Sequence, residues 1–332
     1  IDFFTIPSQG NASDFGDMLA NKQGIGALSS STRGIIAGGE NNPFFPSPGR
    51  TSRIEFITMA SKGDAILFGE LSATTGNPGG CSNSTRGFFG GGEPRTYSKI
   101  DMITIASTGN AVDFGDLTRR NHYAGSSSSS TRMVVGGGDD HPSGGNYSNV
   151  IDYVQIMSTG DAVDFGDCPT GYVQRGLGNT VRGLWAGSEG PSVGTNNTIH
   201  QITIMTTGNS TDFGDLSYGR GGWGGGSNAT RGIMMGGAPN STTDRVNIID
   251  FITIATEGNA QDFGDLTDDM RGSRMIGCAS PTRAVKFGGY NPGHTNVMCF
   301  VNIATLGDAV DFGDLTSACA GAGSNSNGHG GL

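Results

Sequence analysis

Short apolar runs, each closed by Gly, Asn, Asp or Ser, follow one another along the whole chain. One stretch shows the order. Gly79-Gly80-Cys81-Ser82-Asn83, all small or polar, leads to a Ser84-Thr85-Arg86 turn, and Gly87-Phe88-Phe89 then ends on Gly90-Gly91-Gly92. After a polar loop with Pro94 and Tyr97 comes Ile100-Asp101-Met102-Ile103-Thr104-Ile105. The turn Ser107-Thr108-Gly109-Asn110 feeds Ala111-Val112-Asp113-Phe114-Gly115-Asp116. Runs rich in β-formers between such punctuation predict strands, and Gly-Asn or Gly-Asp between two of them predicts a hairpin, because both residues tolerate positive φ. The unit is therefore four strands, a to d. Strand c is apolar on both faces, as in Ile249-Asp250-Phe251-Ile252-Thr253-Ile254, which predicts a sheet packed between two others. Strand a is built of Gly, Ala and Ser, the residues that fit where inner strands crowd an axis.

The unit recurs. Asp14-Phe15-Gly16-Asp17 returns around Phe68 (as Leu-Phe-Gly-Glu), Phe114, Phe165, Phe213, Phe263 and Phe312, at steps of 53, 46, 51, 48, 50 and 49 residues. A period of about fifty residues held throughout marks a ring or array of supersecondary units. The predicted fold is all-β: one domain over residues 1–332, a seven-bladed β-propeller of four-stranded antiparallel blades. The chain opens on strands c and d and ends on a small-residue run, so a blade shared between 315–332 and 1–17 is expected to close the ring and cover its edges.

Composition narrows the setting. Glycine is abundant, 59 residues, but sits at fixed places in the repeat, which excludes a disordered or fibrous chain. The net charge of −10 offers no basic stripe for nucleic acid, and no run of 18 apolar residues is present for a membrane helix. The five cysteines, Cys81, Cys168, Cys278, Cys299 and Cys319, lack metal spacing and are expected to be free thiols.

A strand ending in Gly-Gly, a variable loop, a strand such as Ile151-Asp152-Tyr153-Val154, a turn and an aromatic-bearing last strand resemble the kelch repeat. Kelch repeats usually hold Trp in that last strand, and here Phe takes its place. The wording TIASTGNAVDFGDLT together with SSSTRGIIAGG is also similar to repeats in predicted structural proteins of marine and cyanobacterial bacteriophages. That likeness implies a virion or tail-associated protein, at a virion or extracellular surface, that meets a host-surface glycan or protein. Some kelch-fold proteins are copper radical oxidases whose metal takes two His and Tyr ligands. His122, His141, His200, His294 and His329 are too widely spread for such a centre, so no enzyme, metal or cofactor is expected.

Repeated residues predict scaffold, and singular residues predict function. In each Asp-Phe-Gly-Asp, one Asp should bind backbone N–H groups of a nearby turn while Phe fills the space between blades. Arg33, Arg86, Arg132, Arg182, Arg231 and Arg283 recur after the a–b turn and are expected to pair with Asp of the same or an adjacent blade. The a–b and c–d turns share one face and are short and nearly alike. On the other face the b–c and d–a loops differ, and they hold the ligand-binding candidates: Phe44, Phe45, Tyr97, His122, Tyr123, Tyr147, Tyr172, Tyr218, Arg220, Trp223 and Tyr290. Aromatic and Arg side chains on loops of a rigid ring suit recognition of a glycan or protein. The alternative is a purely structural virion or filament subunit whose loop face docks a neighbour.

Overall fold

A computed structural model describes residues 1–41, 49–94, 97–121, 125–139, 147–169, 176–190, 194–239, 246–267, 276–289, 293–319, 323–324 and 326. Among them there is no helix; the fold is a β-propeller of small antiparallel sheets in the order a-b-c-d. Blade 1 comprises Gly26–Ser29, Arg33–Ala37, Thr51–Thr58 and Ile66–Thr75. Blades 2 to 6 run from strand a to strand d as Gly79–Ser82 to Val112–Asp116, Gly125–Ser128 to Val163–Asp167, Gly176–Gly178 to Thr211–Asp215, Gly224–Ser227 to Gln261–Asp265, and Ile276–Ala279 to Val310–Cys319. Asp2–Phe3 and Ser13–Asp14 form a two-stranded sheet.

Six four-stranded blades are thus present among the described residues, against the seven expected. The N-terminal pair of strands is hydrogen-bonded to blade 6 on one side and to blade 1 on the other. The expected boundary of the shared blade also shifts: strand d of blade 6 extends to Cys319, which pairs with Thr295, so residues 315–319 belong to that blade.

The recurring Phe is the extra residue of a β-bulge. In blade 2, Gly115 pairs with Ile100 and Asp113 with Asp101, so Phe114 has no partner across the ladder; the other five blades shift register at the same place. Such a bulge bends the edge strand and re-aims one side chain. Here it turns Phe inward, where all seven copies are buried. Phe68, Phe165, Phe263 and Phe312 each meet a strand-c aromatic of their own blade edge-on, at 5.6–6.0 Å between ring centroids. Truncating one such ring to Ala costs about 3–5 kcal/mol.

The glycine after Phe has a different task. A Cβ on Gly16 would stand 2.4 Å from the backbone of Gly63, the c–d turn of the next blade. At this close approach three hydrogen bonds form: Gly63 N to Phe15 O, Ala65 N to Asp17 O, and Asp17 N to Asp64 Oδ1. The same latch joins every neighbouring pair around the ring, and its last link runs from the strand d of blade 6 to the N-terminal strands. There Gly10 N donates to Phe312 O, Ala12 N to Asp314 O, and Asp314 N to Asn11 Oδ1. Each latch occupies the outer edge of strand d, the edge that would otherwise offer unpaired backbone.

Around the axis, hydroxyls tie the inner strands together. Ser82 donates to Ser29 O, Ser128 to Ser82 O, and Ser227 to Gly178 O. Ser326 joins the same chain: it donates to Ala279 O of blade 6, and its own carbonyl accepts Ser29 Oγ of blade 1. The links are missing where Gly178 and Ala279 occupy the serine position and carry no hydroxyl.

Candidate functional site

On the face of the a–b and c–d turns, each recurring Arg reaches into the next blade. Arg33 Nη1 donates to Ile105 O, Arg86 to Ile156 O, Arg132 to Ile204 O, Arg182 to Ile254 O, Arg231 to Ile303 O and Arg283 to Ile6 O. The expected Asp partners are therefore replaced by backbone carbonyls. The guanidinium carbons of Arg33, Arg132, Arg231 and Arg283 also lie 4.5–4.9 Å from the ring centre of a strand-c aromatic in their own blades. The Asp before Phe does cap backbone: Asp14, Asp164, Asp212, Asp262 and Asp311 each accept the N–H of the following Gly.

This turn face is less uniform than its sequence suggests. Met157, Val181 and Met205, in blades 3 and 4, are more than half exposed there, and so is Leu306 of blade 6. Met205 Sδ lies 3.5 Å from Thr131 Oγ1 of the preceding blade.

Between the two faces, each junction holds a side chain from the second place of strand c. Glu55, Asp101, Asp152 and Asp250 are all buried, and each accepts the N–H of the residue that follows strand d's bulge in the preceding blade: Leu19, Ser72, Thr118 and Ser217 respectively. Asp2 does the same for Thr316. Blade 4 carries His200 instead, and the residue at the donating place is Pro169, which has no N–H to offer. A buried carboxylate there would have no backbone donor, and a neutral ring costs less to bury. Desolvation lowers the His200 pKa, with the Asp212 charge opposing it.

Three residues beyond each donor, a second side chain faces the acid. In blade 1 it is Lys22, whose ammonium touches Glu55 at 2.9 Å without an aligned hydrogen bond. In blade 5 it is Arg220, 3.0 Å from Asp250 and also donating to Met234 O. Both pairs are almost wholly buried. At Asp101 and Asp152 the same place holds Thr75 and Asn121, and burial raises both carboxyl pKa values, with the Ser72 and Thr118 hydrogen bonds and then the Lys99 and Arg119 charges opposing the shift.

Two of the loop-face candidates consequently belong to the interior. Arg220 is fully buried in its ion pair, and burial lowers its pKa against the pull of Asp250. Trp223 is 3% exposed and donates Nε1 to Ala186 O at 2.8 Å. Their singularity reflects a charged and an aromatic filler between blades 4 and 5. Tyr218 is 46% exposed. Tyr97 is half-buried, its hydroxyl 3.4 Å from Ser72 Oγ, and desolvation raises its pKa. Tyr147 is half-buried and bridges to Asp139. Phe44, Phe45, His122, Tyr123, Tyr172 and Tyr290 lie outside the described residues. No three His, Cys, Asp or Glu side chains among the described residues are grouped to hold a metal.

An axial cavity of about 350 Å³ is lined by the inner strands of all six blades and by Ser324 and Ser326. Its lining is hydroxyl, backbone and small apolar groups, with Cys81 and Cys278 half-buried in the wall. Burial pushes both thiols up to about 12, far from thiolate chemistry. Among the described residues no helix is long and apolar enough to cross a membrane. No protein-family model matches this chain, and no curated protein matches it.

Proposed function

We propose that the chain is a non-catalytic recognition module: a closed, kelch-like ring of seven blades that engages a host-surface glycan or protein through its b–c and d–a loops. The seventh blade is shared. Its strands c and d are the N-terminal pair, and Ser324 and Ser326 begin its strand a by bonding to both neighbouring inner strands. The resemblance to phage repeats suggests a virion or another extracellular surface as the setting.

One observation carries the reading. The repeated Phe, Asp and Arg side chains and the backbone of the repeated Gly are engaged within or between blades, so the rigid part of the ring has little left to offer a partner. The side chains that vary and remain accessible on the loop face, Tyr218 and Tyr97, are aromatic with a polar tip. Such groups stack on sugar rings and anchor protein interfaces alike. The buried acids cap backbone N–H groups, which is a structural task.

A glycan array and cell-binding assay with the full chain test this. Replacing Tyr97 and Tyr218 with Ala should weaken attachment by about 1–3 kcal/mol in total. Full binding in that double variant, with loss instead on Met157→Ser and Met205→Ser, would move the site to the turn face. The exposed Met157, Val181 and Met205 favour that second reading, in which the ring is a structural subunit docked on a neighbouring protein.

A further inference from the structure

We propose that the junction between blades 1 and 2 is a receptor for a protonated amine, held by the Asp101 carboxylate. Equivalent junctions of the one ring differ in what meets the acid. In two of them the strand-c acid meets a cation supplied by the chain itself, Lys22 on Glu55 and Arg220 on Asp250. Acid plus cation is therefore chemistry that this kind of junction already accommodates. Between blades 1 and 2 the cation's place falls to Thr75, whose hydroxyl is directed to the carbonyls of Gly76 and Gly91. Asp101 is 2% exposed, its Oδ2 accepts Ser72 N at 3.0 Å, and its Oδ1 has no hydrogen-bond partner. A buried carboxylate oxygen left in that state is costly, and a cation offsets the cost best.

The corresponding junction on the other side of blade 2 shows what satisfaction looks like. There Asp152 takes Thr118 N on one oxygen and Thr118 Oγ1, at 2.7 Å, on the other. At Asp101 the equivalent hydroxyl, Ser72 Oγ, stands 3.4 Å from Tyr97 OH and leaves Oδ1 without a hydrogen bond. The charged and titratable groups around Asp101 are Tyr97, Lys99 and Asp113, and the Lys99 ammonium is held by Asp113 at 2.6 Å. Ser72 is exposed and Tyr97 half-buried, so these two residues are the solvent-side neighbours of Asp101 past which an amine would enter. This inference stands apart from the loop-face reading, because it concerns one junction and a single chemical group.

Thermal melting of the full chain in methylammonium chloride, against sodium chloride at equal ionic strength, tests it. The wild-type protein should show a saturable rise in Tm with methylammonium beyond that with sodium. At ten times half-saturation the folded state is favoured about elevenfold. Asp101→Asn should lose the excess, Asp152→Asn should keep it, and Thr75→Lys, which supplies the amine from within as in blade 1, should be insensitive. Equal responses of wild type and Asp101→Asn, or no excess in wild type, overturn the proposal. Should Thr75→Lys fail to fold, the near-isosteric Asp101→Asn still decides.

Discussion

The outer and inner layers of the same blade junctions follow different rules. At the outer edge every junction has one structure, the bulge glycine pressed on the next c–d turn with three hydrogen bonds. In strand c the junctions diverge: Glu55 and Asp250 sit in buried ion pairs, Asp101, Asp152 and Asp2 have Thr75, Asn121 and Cys319 at the cation's place, His200 stands opposite Pro169, and Cys299 replaces the acid in blade 6. Backbone contacts tolerate no variation because they depend on a missing Cβ. Side-chain contacts tolerate much, provided charge and donors stay matched. The ring is therefore uniform where it is assembled and individual where it is filled.

The sharpest way to break this contrast is to remove one member of a buried pair. Arg220→Met should destabilise the ring by about 3–5 kcal/mol, because Asp250 is left buried and uncompensated. Replacing Arg220 and Asp250 together with apolar residues of similar volume should recover much of the loss. Chemical denaturation of the single and double variants checks both statements.

A smaller effect is expected at the latch, and its cause can be isolated. Gly166 (φ +145°) would place a Cβ 2.4 Å from Gly208, whereas Gly208 (φ +151°) has open space around it. Gly166→Ala should cost about 3 kcal/mol and Gly208→Ala about 1 kcal/mol. Equal costs would mean that backbone conformation, not blade-to-blade contact, explains the recurring glycine.

The smallest effect concerns pH. Burial raises the folded-state pKa of Asp101 and Asp152 above the unfolded value. Their contribution is thus fully present below the unfolded aspartate pKa, about 3.9, and is lost as pH rises through the folded values. Asp101→Asn and Asp152→Asn should flatten that part of the stability profile. A melting-temperature series that keeps the wild-type slope in both variants would assign the slope to other groups.

The sequence made the period, the four-strand unit and the inward Phe legible, because a feature repeated seven times survives local noise. The bulge and the latch stayed hidden. The Gly of Asp-Phe-Gly-Asp and the Gly-Asn turn it presses on lie a blade apart in sequence, and each reads locally as an ordinary turn signal. The sequence points Arg33 and its equivalents to Asp, because their actual acceptor, a backbone carbonyl, leaves no mark in composition. Arg220 and Trp223 read as loop residues for lack of a strand around them. A signal for Arg220 did exist: Lys22 and Arg220 both fall three residues after the strand-d donor and ahead of a strand-c acid. The paired replacement of Thr118 by Pro169 and of Asp152 by His200 was equally visible, and needs the junction geometry to be understood. The accessible part of the loop face is legible only as variety, since aromatic loop residues carry no periodic pattern.

The latch closes into a belt whose seventh link is made by the N-terminal strands. Amide hydrogen exchange at the turn glycines tests it most directly. Gly63, Gly109, Gly160, Gly208, Gly258 and Gly307 each donate to a Phe carbonyl of the preceding blade, and Gly10 alone donates across the join between the chain's two ends, to Phe312. Gly10 should be protected to within about tenfold of the other six, since the belt opens as one cooperative unit. Exchange of Gly10 at the rate of an unprotected amide, with the six others still protected, would contradict it.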